Sequence, residues 1–183
     1  MRRRCERQNL KGIRQGRRET YEAVISQNYE SIYRFMFYLT GDSVLAEDLT
    51  QEAFVSAWAS IDHYAGRASL KTWLHQIAYH KFIDSKRAIE RRAALIADLK
   101  QHKTCVSRTS APLRRLISDE RSRCLWEAIY SLQAFDHIVI VLHYIQGFSY
   151  CEMAKVLDQS GGTVKWRTSQ ALKKLKALLT DRV

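Results

Sequence analysis

The scarcity of turn-forming residues constrains this chain more than any other feature of its sequence. Only 7 of its 183 residues are glycine and only 1 is proline, well below the average usage of roughly 7 % and 5 %. Sandwiches, barrels and open sheets need many tight turns, and glycine and proline are the residues that favour them. The sequence therefore predicts an all-α protein.

The charges of the chain form alternating zones. The net charge is +11, yet residues 20–62 carry −6, whereas residues 1–19, 63–92 and 159–183 carry +6, +5 and +5. A uniformly basic chain would coat any polyanion, but alternation indicates an acidic surface for a basic protein partner and separate basic surfaces for nucleic acid. Two kinds of partner are therefore expected.

The N-terminus lacks the features of a secretory signal, because no apolar stretch follows the basic residues after Met1. The apolar run Ile138–Leu142 is far shorter than the ~18 residues of a membrane-spanning helix. Four cysteines are scattered without a CxxC pair: Cys5, Cys105, Cys124 and Cys151. This spacing favours neither a disulfide framework nor a zinc site. We expect a cytoplasmic protein with reduced thiols, no metal and no cofactor.

Apolar periodicity predicts a helical N-terminal half. Residues 1–19 have no apolar period and are interpreted as a basic, disordered arm. Residues 20–90 predict three helices, because apolar side chains recur at helical spacing with capping residues between them. The helices are expected at Tyr21–Leu39, Ser43–Ile61 and Ser69–Glu90. Residues 91–119 contain the single proline and a polar stretch, and they predict a flexible linker.

A second helical domain is expected at residues 120–180, where the run from Ile138 to Tyr144 predicts a buried helix. Ser149 and Glu152 have the spacing of a capping box at the start of a short helix, and a longer helix follows from Thr163. A short capped helix, a tight turn and a second helix are typical of a helix-turn-helix, whose second helix lies in the major groove.

Two of the predicted helices have polar faces suited to nucleic acid. Along the helix from Ser69, the 100° step places a mixed aromatic and basic set opposite the apolar stripe: Thr72, His75, Gln76, Tyr79, His80, Lys86 and Arg87. Stacking and cationic groups of this kind hold unstacked bases. Along the helix from Thr163, Trp166 is expected to face outward, where a large aromatic side chain needs a partner to cover it.

Four ordered segments resemble the extracytoplasmic-function sigma factors, the two-domain promoter-specificity subunits of bacterial RNA polymerase. They are Ala46–Trp58, Ser69–Leu74 with Ile77–Ala78 and Phe82–Asp84, Phe148–Ala154, and Gly162–Lys165. The resemblance covers residues 20–90 and 120–180. It implies a region 2 bundle and a region 4 helix-turn-helix joined by a flexible linker. It also implies a non-enzymatic factor that directs core polymerase to promoters and helps to open the minus-ten region.

The resemblance assigns a role to each candidate surface. Core polymerase would dock with its largest-subunit clamp on Asp48, Gln51, Glu52, Phe54 and Val55, and the flap of its second-largest subunit is a further expected partner. The minus-ten DNA would contact Tyr64, Thr72, Gln76, Tyr79, His80, Lys86 and Arg87. The minus-thirty-five DNA would contact Ser149, Tyr150, Thr163, Lys165, Trp166, Ser169, Gln170 and Lys173. An anti-sigma factor is a further expected partner.

Residue chemistry agrees with these roles. Asp48 and Glu52 are like charges four residues apart on one helix, a repulsion of ~0.2 to 0.5 kcal/mol that a basic partner would offset. Lys165 can donate to guanine and Gln170 can pair with adenine. Phosphate contacts, which position a helix without reading sequence, are expected at Lys173, Lys174 and Lys176.

The resemblance is imperfect at the helix-turn-helix bend. The family usually has a glycine followed by an apolar residue there, whereas this chain has Asp158 and Gln159. Either Asp158 adopts a left-handed conformation, or Gly161 or Gly162 makes the bend.

Alternative functions remain at this stage. A stand-alone helix-turn-helix regulator that binds operators as a dimer explains residues 120–180 but leaves Asp48 and Glu52 without a role. An RNA-binding protein would depend on the basic residues 1–19. An enzyme is disfavoured, because the six histidines form no HExxH or HxxxH pair.

Overall fold

The computed structural model describes residues 18–99 and 120–180, and in these two stretches the backbone forms helices and connecting turns without a β-strand. The predicted all-α class is confirmed. The predicted basic arm, apart from its last two residues, and the linker from residue 100 onward lie outside the described residues. None of the described helices is both long enough and apolar enough to traverse a lipid bilayer.

Residues 18–99, the described part of the N-terminal half, contain three helices and one short turn. They are α1 (Arg18–Thr40), α2 (Ser43–Ser60), a 3₁₀ turn (Ile61–His63) and α3 (Leu70–Leu99). As predicted, α2 begins after a cap, since the Asp42 carboxylate accepts hydrogen bonds from the backbone N–H groups of Val44 and Leu45. The predicted end of α3 at Glu90 is wrong. Residues 91–99, which we assigned to the linker, are helical because they contain strong helix formers and no glycine or proline.

Four helices and a π-helical turn form the described residues 120–180 of the C-terminal half. They are α4 (Glu120–Ser131), α5 (Ala134–Ile140), the π turn (Val141–Ile145), α6 (Tyr150–Val156) and α7 (Gly161–Thr180). The helix predicted from Ile138 is present, but its last turn widens, and the Gln146 N–H donates to the Val141 carbonyl oxygen at 3.0 Å.

The helix-turn-helix is formed by α6 and α7. The capping box at the start of α6 is confirmed, because Ser149 Oγ accepts from the Glu152 N–H and the Glu152 carboxylate accepts from the Ser149 N–H. The Ser149 hydroxyl, which also donates to the Glu152 carboxylate at 2.7 Å, and the Ser149 N–H together lower the pKa of the Glu152 carboxyl. At the bend, Asp158 takes the left-handed conformation with φ of 52°, which aspartate tolerates better than most residues. Gly161 and Gly162 therefore lie in the first turn of α7 and not at the bend.

Each half has its own set of fully buried apolar side chains, and the two sets meet. In the first half they come from all three helices and include Phe35, Met36, Ala46, Leu49, Ala57 and Leu74. In the second half they include Ile138, Val139, Leu142, Met153, Val164 and Leu175. Because α3 packs against α6, and α1 packs against the π turn, the two halves are in direct contact.

Candidate nucleic-acid and partner interfaces

One face of α2 is acidic and open to solvent. Asp48, Gln51 and Glu52 are exposed, and Val55 is 69 % exposed at the next turn of the same face. The opposite face of α2 is buried against α1 and α3, which fixes the acidic face outward. Such a surface suits a partner with basic side chains around a small apolar contact.

Two aromatic residues of α2 differ from the sequence-based expectation. Phe54 is only 5 % exposed and its ring lies 6.1 Å from that of Tyr29, so its assignment as a partner contact is corrected to a core position. Trp58 was not among the candidates, yet it is 42 % exposed and packs 4.4 Å from Tyr21 on one side. Its position three residues after Val55 places it on the acidic face and was the available signal.

The outward face of α3 is lined with aromatic and charged groups. Tyr79 and Lys86 are half-buried there, whereas His80 and Arg87 are exposed. Four of its residues enclose a cleft of about 400 Å³ together with Ile83 and with Leu157 of the second half. The four are Tyr79, His80, Asp84 and Arg87. Burial raises the pKa of Tyr79, so its hydroxyl stays protonated and can donate a hydrogen bond.

Three residues expected on the α3 face, or close to it, are buried. Tyr64 is 6 % exposed and packs 4.9 Å from Trp73. Thr72 is 1 % exposed, and its hydroxyl is hydrogen-bonded to Ser69 Oγ at 2.8 Å in the cap of the helix. His75 is completely buried, and this burial lowers its pKa to about 4.

These placements correct the expectation that Thr72 and His75 face outward and that Tyr64 is accessible. Gln76 remains on the outer side of α3 and is half-buried. The 100° step per residue predicts the direction in which each side chain leaves the helix axis, but it does not predict what packs against that side chain. Here Ser69 of the preceding loop covers Thr72, and Phe148 of the second half packs on His75.

The outward face of α7 is accessible along its length. Trp166 is 57 % exposed, as predicted from its polar surroundings, and Lys165, Ser169 and Lys173 are exposed beside it. Gln170 is half-buried at the edge of this face. Arg167 was not among the candidates, although its guanidinium lies 5.6 Å from the Trp166 ring centroid and 5.4 Å from that of Phe135. The Arg167 guanidinium therefore contacts both rings, and its cation–π interaction helps to fix the position of the Trp166 side chain.

Ser149, Tyr150 and Thr163, the other candidates for minus-thirty-five contacts, take part in helix caps and ring packing. Ser149 is the exposed cap of α6, and the Tyr150 ring stacks on His143 with centroids 4.7 Å apart. The N–H of Thr163 donates to Ser160 Oγ at 3.1 Å, which caps the first turn of α7. Of these residues, Thr163 lies in the first turn of α7, next to Lys165 and Trp166 in the chain.

Lys174 has a different role from its neighbours on α7. Its Nζ lies 2.6 Å from Asp136 Oδ2, and the Asp136 side chain is only 1 % exposed. The expected phosphate contact at Lys174 is therefore corrected to an ion pair that fastens α7 to α5. Lys173 and Lys176 remain exposed.

The remaining groups of chemical interest are the cysteine thiols and the side chains that could bind a metal ion. Cys124 is half-buried and Cys151 is exposed, and both are free thiols, whereas the other two cysteines lie outside the described residues. In residues 18–99 and 120–180, no three His, Cys, Asp or Glu side chains gather into a group able to hold a metal ion.

Two solved structures share this fold at low sequence identity. CnrH, in its complex with the cytosolic domain of CnrY, superposes with a TM-score of 0.72 at 23 % identity, covering 98 % of this chain and 99 % of that chain. RpoE of Bartonella quintana, in complex with the anti-sigma factor NepR, gives a TM-score of 0.69 at 24 % identity, covering 87 % and 96 %. Both similarities concern the fold alone.

Family models and curated relatives identify the chain. The model of Sigma-70 region 2 matches residues 24–92, and the model of Sigma-70 region 4 matches residues 122–175. The ECF RNA polymerase sigma factor SigX of Bacillus subtilis is 30 % identical over 86 % of this chain and 82 % of its own length. SigW of the same organism is 27 % identical over 96 % of this chain and 97 % of its own length. The chain therefore belongs to the extracytoplasmic-function sigma factors, the subunits that direct bacterial RNA polymerase to promoters.

Proposed function

We propose that this sigma factor docks on core RNA polymerase through the acidic face of α2. The observation that carries the proposal is the pair Asp48 and Glu52, which are exposed one turn apart. Neither carboxylate has an ion-pair partner within the described residues, so their mutual repulsion is relieved only when a basic surface binds. Val55 and Trp58 extend the face with the apolar area that a specific contact needs.

Charge reversal tests the docking face. Glu52→Lys and Asp48→Lys should each weaken binding to purified core polymerase by about tenfold, equivalent to ~1.4 kcal/mol, because they turn attraction into repulsion. Glu30→Lys is the matched control. Glu30 is exposed on α1, so this substitution makes the same change of charge outside α2. Equal affinities for the wild type, the Glu52 variant and the control would overturn this assignment.

The DNA contacts are divided between two helices in this proposal. Region 2, taken as residues 20–90, binds the opened minus-ten strand with the α3 face, where Tyr79 and His80 offer ring surfaces and Arg87 offers a cation. Region 4, taken as residues 120–180, reads the minus-thirty-five duplex with α7. Lys165, Ser169 and Gln170 face the base edges, while Lys173 contacts phosphate.

Run-off transcription tests the function as a whole. The full chain and purified core polymerase, incubated with a library of genomic fragments, should produce transcripts whose start sites share one upstream and one downstream motif. The factor would act in the cytoplasm and without covalent chemistry, because recognition and strand separation require binding alone. A stand-alone regulator is not favoured, since the model of Sigma-70 region 2 matches residues 24–92. That alternative would gain support if the chain bound palindromic duplexes but did not direct polymerase to start transcription.

An anti-sigma factor is the remaining partner in the proposal. RpoE of Bartonella quintana, which shares this fold, is bound to the anti-sigma factor NepR. A corresponding inhibitor of this chain should compete with core polymerase. In a capture experiment with the full chain, adding core polymerase should displace the inhibitor, and an interactor that binds independently of core polymerase would not be an anti-sigma factor.

A further inference from the structure

Aromatic rings form a continuous strip along the contact between α1 and α2. The Tyr21 ring packs 4.4 Å from that of Trp58, and its hydroxyl donates to the Phe54 carbonyl oxygen. From Phe54 the rings continue along α1, with centroids 6.1 to 6.3 Å apart and nearly parallel planes. Trp58 is 42 % exposed and the four rings of α1 are half-buried, so a partner can reach them. We call this set the aromatic strip: Trp58, Tyr21, Phe54, Tyr29, Tyr33 and Phe37.

Carboxylates border the aromatic strip. Glu30 follows Tyr29 on α1 and is exposed. Burial, and after it the charge of Glu47 on α2, raise the pKa of the Tyr29 hydroxyl, so this second carboxylate also lies beside the strip. The acidic face of α2 continues the negative charge. Residues 20–62, which include the whole strip, contain a single arginine and no lysine. The surface therefore offers rings and negative charge together.

Such a surface is suited to arginine side chains. A guanidinium group can stack on a ring and pair with a neighbouring carboxylate. Lysine fits less well, because its ammonium group is not planar and does not stack. Nucleic acid is disfavoured, since the bordering carboxylates would repel its phosphates. The surface chemistry therefore predicts an arginine-rich polypeptide segment as the partner.

The chain contains such a segment immediately before α1. Residues 1–17 hold six arginines, one lysine and one glutamate, a net charge of +6. They lie outside the described residues and join α1 at Arg18, three residues before Tyr21 at one end of the strip. A stretch of 17 residues spans at most ~60 Å, whereas the strip from Tyr21 to Phe37 is ~24 Å long at the helical rise of ~1.5 Å per residue. The segment is therefore long enough to follow the whole strip.

We propose that residues 1–17, which we call the N-terminal segment, bind the aromatic strip and the adjoining acidic face of α2 in the same molecule. Because the segment is tethered beside its site, its effective concentration there is on the order of millimolar, and individually weak contacts suffice. The site overlaps the face that we assign to core polymerase, since Trp58 belongs to both. The segment therefore competes with polymerase, and this consequence rests on the proposed function of α2.

Disulfide trapping tests the contact without polymerase. Cys5 is a natural thiol in the N-terminal segment, and Gln51→Cys adds a thiol to the acidic face. At low salt and low protein concentration, mild oxidation should join these two thiols within one molecule about tenfold faster than in a control. The control is Gln27→Cys, because Gln27 is exposed on α1 but two residues from Tyr29, and so on the other side of the helix. Peptide mapping identifies the cysteines that are joined.

Salt and charge variants show whether attraction holds the segment in place. Each rate is first corrected for the reaction of the introduced thiol with glutathione disulfide, because nearby carboxylates change thiol reactivity. At about 1 M salt, where the Debye length falls to ~3 Å, the rate with Gln51→Cys should fall toward that with Gln27→Cys. Adding Asp48→Asn and Glu52→Gln should have the same effect at low salt, with unchanged circular dichroism, since both side chains are exposed.

Two results of the trapping experiment would contradict the contact. Equal corrected rates at the two introduced thiols would show that the N-terminal segment does not prefer the acidic face, and would overturn the proposal. A disulfide that formed only between two molecules would overturn the intramolecular contact and assign the surface to the segment of a second copy.

Binding of core polymerase tests the competition. Arg3→Gln with Arg4→Gln removes two cations from the N-terminal segment, and Arg91→Gln with Arg92→Gln removes two exposed cations from α3 as a matched control. If the segment occupies the surface in about two molecules of three, its release should tighten polymerase binding about threefold, and the control should not. Unchanged affinity with rapid trapping would overturn the competition. If Glu52→Lys left polymerase binding unchanged while the wild-type segment was still trapped, the proposed docking face would be refuted instead.

Discussion

The two helices proposed to contact DNA differ in how much of their polar face is free. On α7, Lys165, Trp166 and Ser169 are all exposed, with a tryptophan 57 % open to solvent. On α3, His80 and Arg87 are exposed and Tyr79 is half-buried, whereas His75 is completely buried between Phe35 of α1 and Phe148 of the second half. Helices with similar polar faces can therefore differ in how much of that face is open to solvent.

The difference has a physical basis in the two targets. A duplex presents its base edges in a groove that a helix enters as a rigid body, and the cap and the Lys174–Asp136 ion pair hold α7 rigid. A single strand must be held by rings and cations along a groove. Rings also pack well against protein, as His75 does between Phe35 and Phe148.

The largest effect is expected from the ion pair that fastens α7. Lys174→Met leaves the Asp136 carboxylate buried without its cation and should cost roughly 3 kcal/mol of unfolding free energy. Lys173→Met, one residue away and exposed, should stay within about 0.5 kcal/mol. Urea unfolding followed by circular dichroism measures both. Equal stabilities would show that α7 does not depend on this pair.

Substitutions on α7 and on α3 should have smaller effects, and these should differ between duplex binding and promoter opening. Gln170→Ala should reduce discrimination at one minus-thirty-five base pair by ~1 to 3 kcal/mol, because a bidentate contact with adenine is lost. Tyr79→Ala should leave duplex affinity unchanged and impair promoter opening, measured by permanganate reactivity. If Tyr79→Ala weakened duplex binding as much as Gln170→Ala, the division of labour would be wrong.

Acidification should destabilise the fold around His75 and His137. Burial lowers the pKa of both His75 and His137 to about 4, against about 6.5 for an accessible histidine. The folded protein binds fewer protons at these two groups than the unfolded chain does, so their contribution to stability is complete above pH 6.5 and is lost as the pH falls toward 4. The charged groups that face the two rings are cations, Lys71 beside His75 and Lys86 beside His137, while Asp136 is held by Lys174.

At pH 5.5 each histidine should lower the free energy of unfolding by up to about 1.4 kcal/mol relative to pH 7.5. Urea unfolding of the wild type at the two pH values measures this loss. His75→Leu, which keeps an apolar side chain between Phe35 and Phe148, should reduce that dependence. An identical pH profile in the two proteins would exclude His75 as a source of the effect.

The smallest effect is expected from a phosphate contact. Lys173→Ala should weaken duplex binding uniformly across sequences and lower the slope of log affinity against log salt concentration by about 1. Fluorescence anisotropy at several salt concentrations measures this slope. Lys174→Ala should leave the slope unchanged, since its ammonium group is already engaged by Asp136.

Local patterns predicted much of this molecule. The capping box at Ser149 and the exposed Trp166 were predicted from patterns within a few residues. At the start of α2 the sequence left Asp42 and Ser43 open as the cap, and at the bend it left Asp158 and the following glycines open. The structure chose Asp42 and Asp158. The end of α3 was missed because alanine-rich sequence at 93–97 continues a helix without a stop signal. Phe54 and Thr72 were misplaced among contact residues because periodicity places a side chain on a face but does not say what packs against that face.

By itself the sequence determined the helical class, the order of the elements, the helix-turn-helix and the separation of acidic from basic surfaces, since these depend on spacing and composition. Only the tertiary structure decided that Lys174 binds Asp136, that His75 packs against Phe148, and that α6 packs on α3. The first two contacts join residues 38 and 73 positions apart. Their formation depends on how two amphipathic surfaces fit together, which periodicity along the chain does not encode.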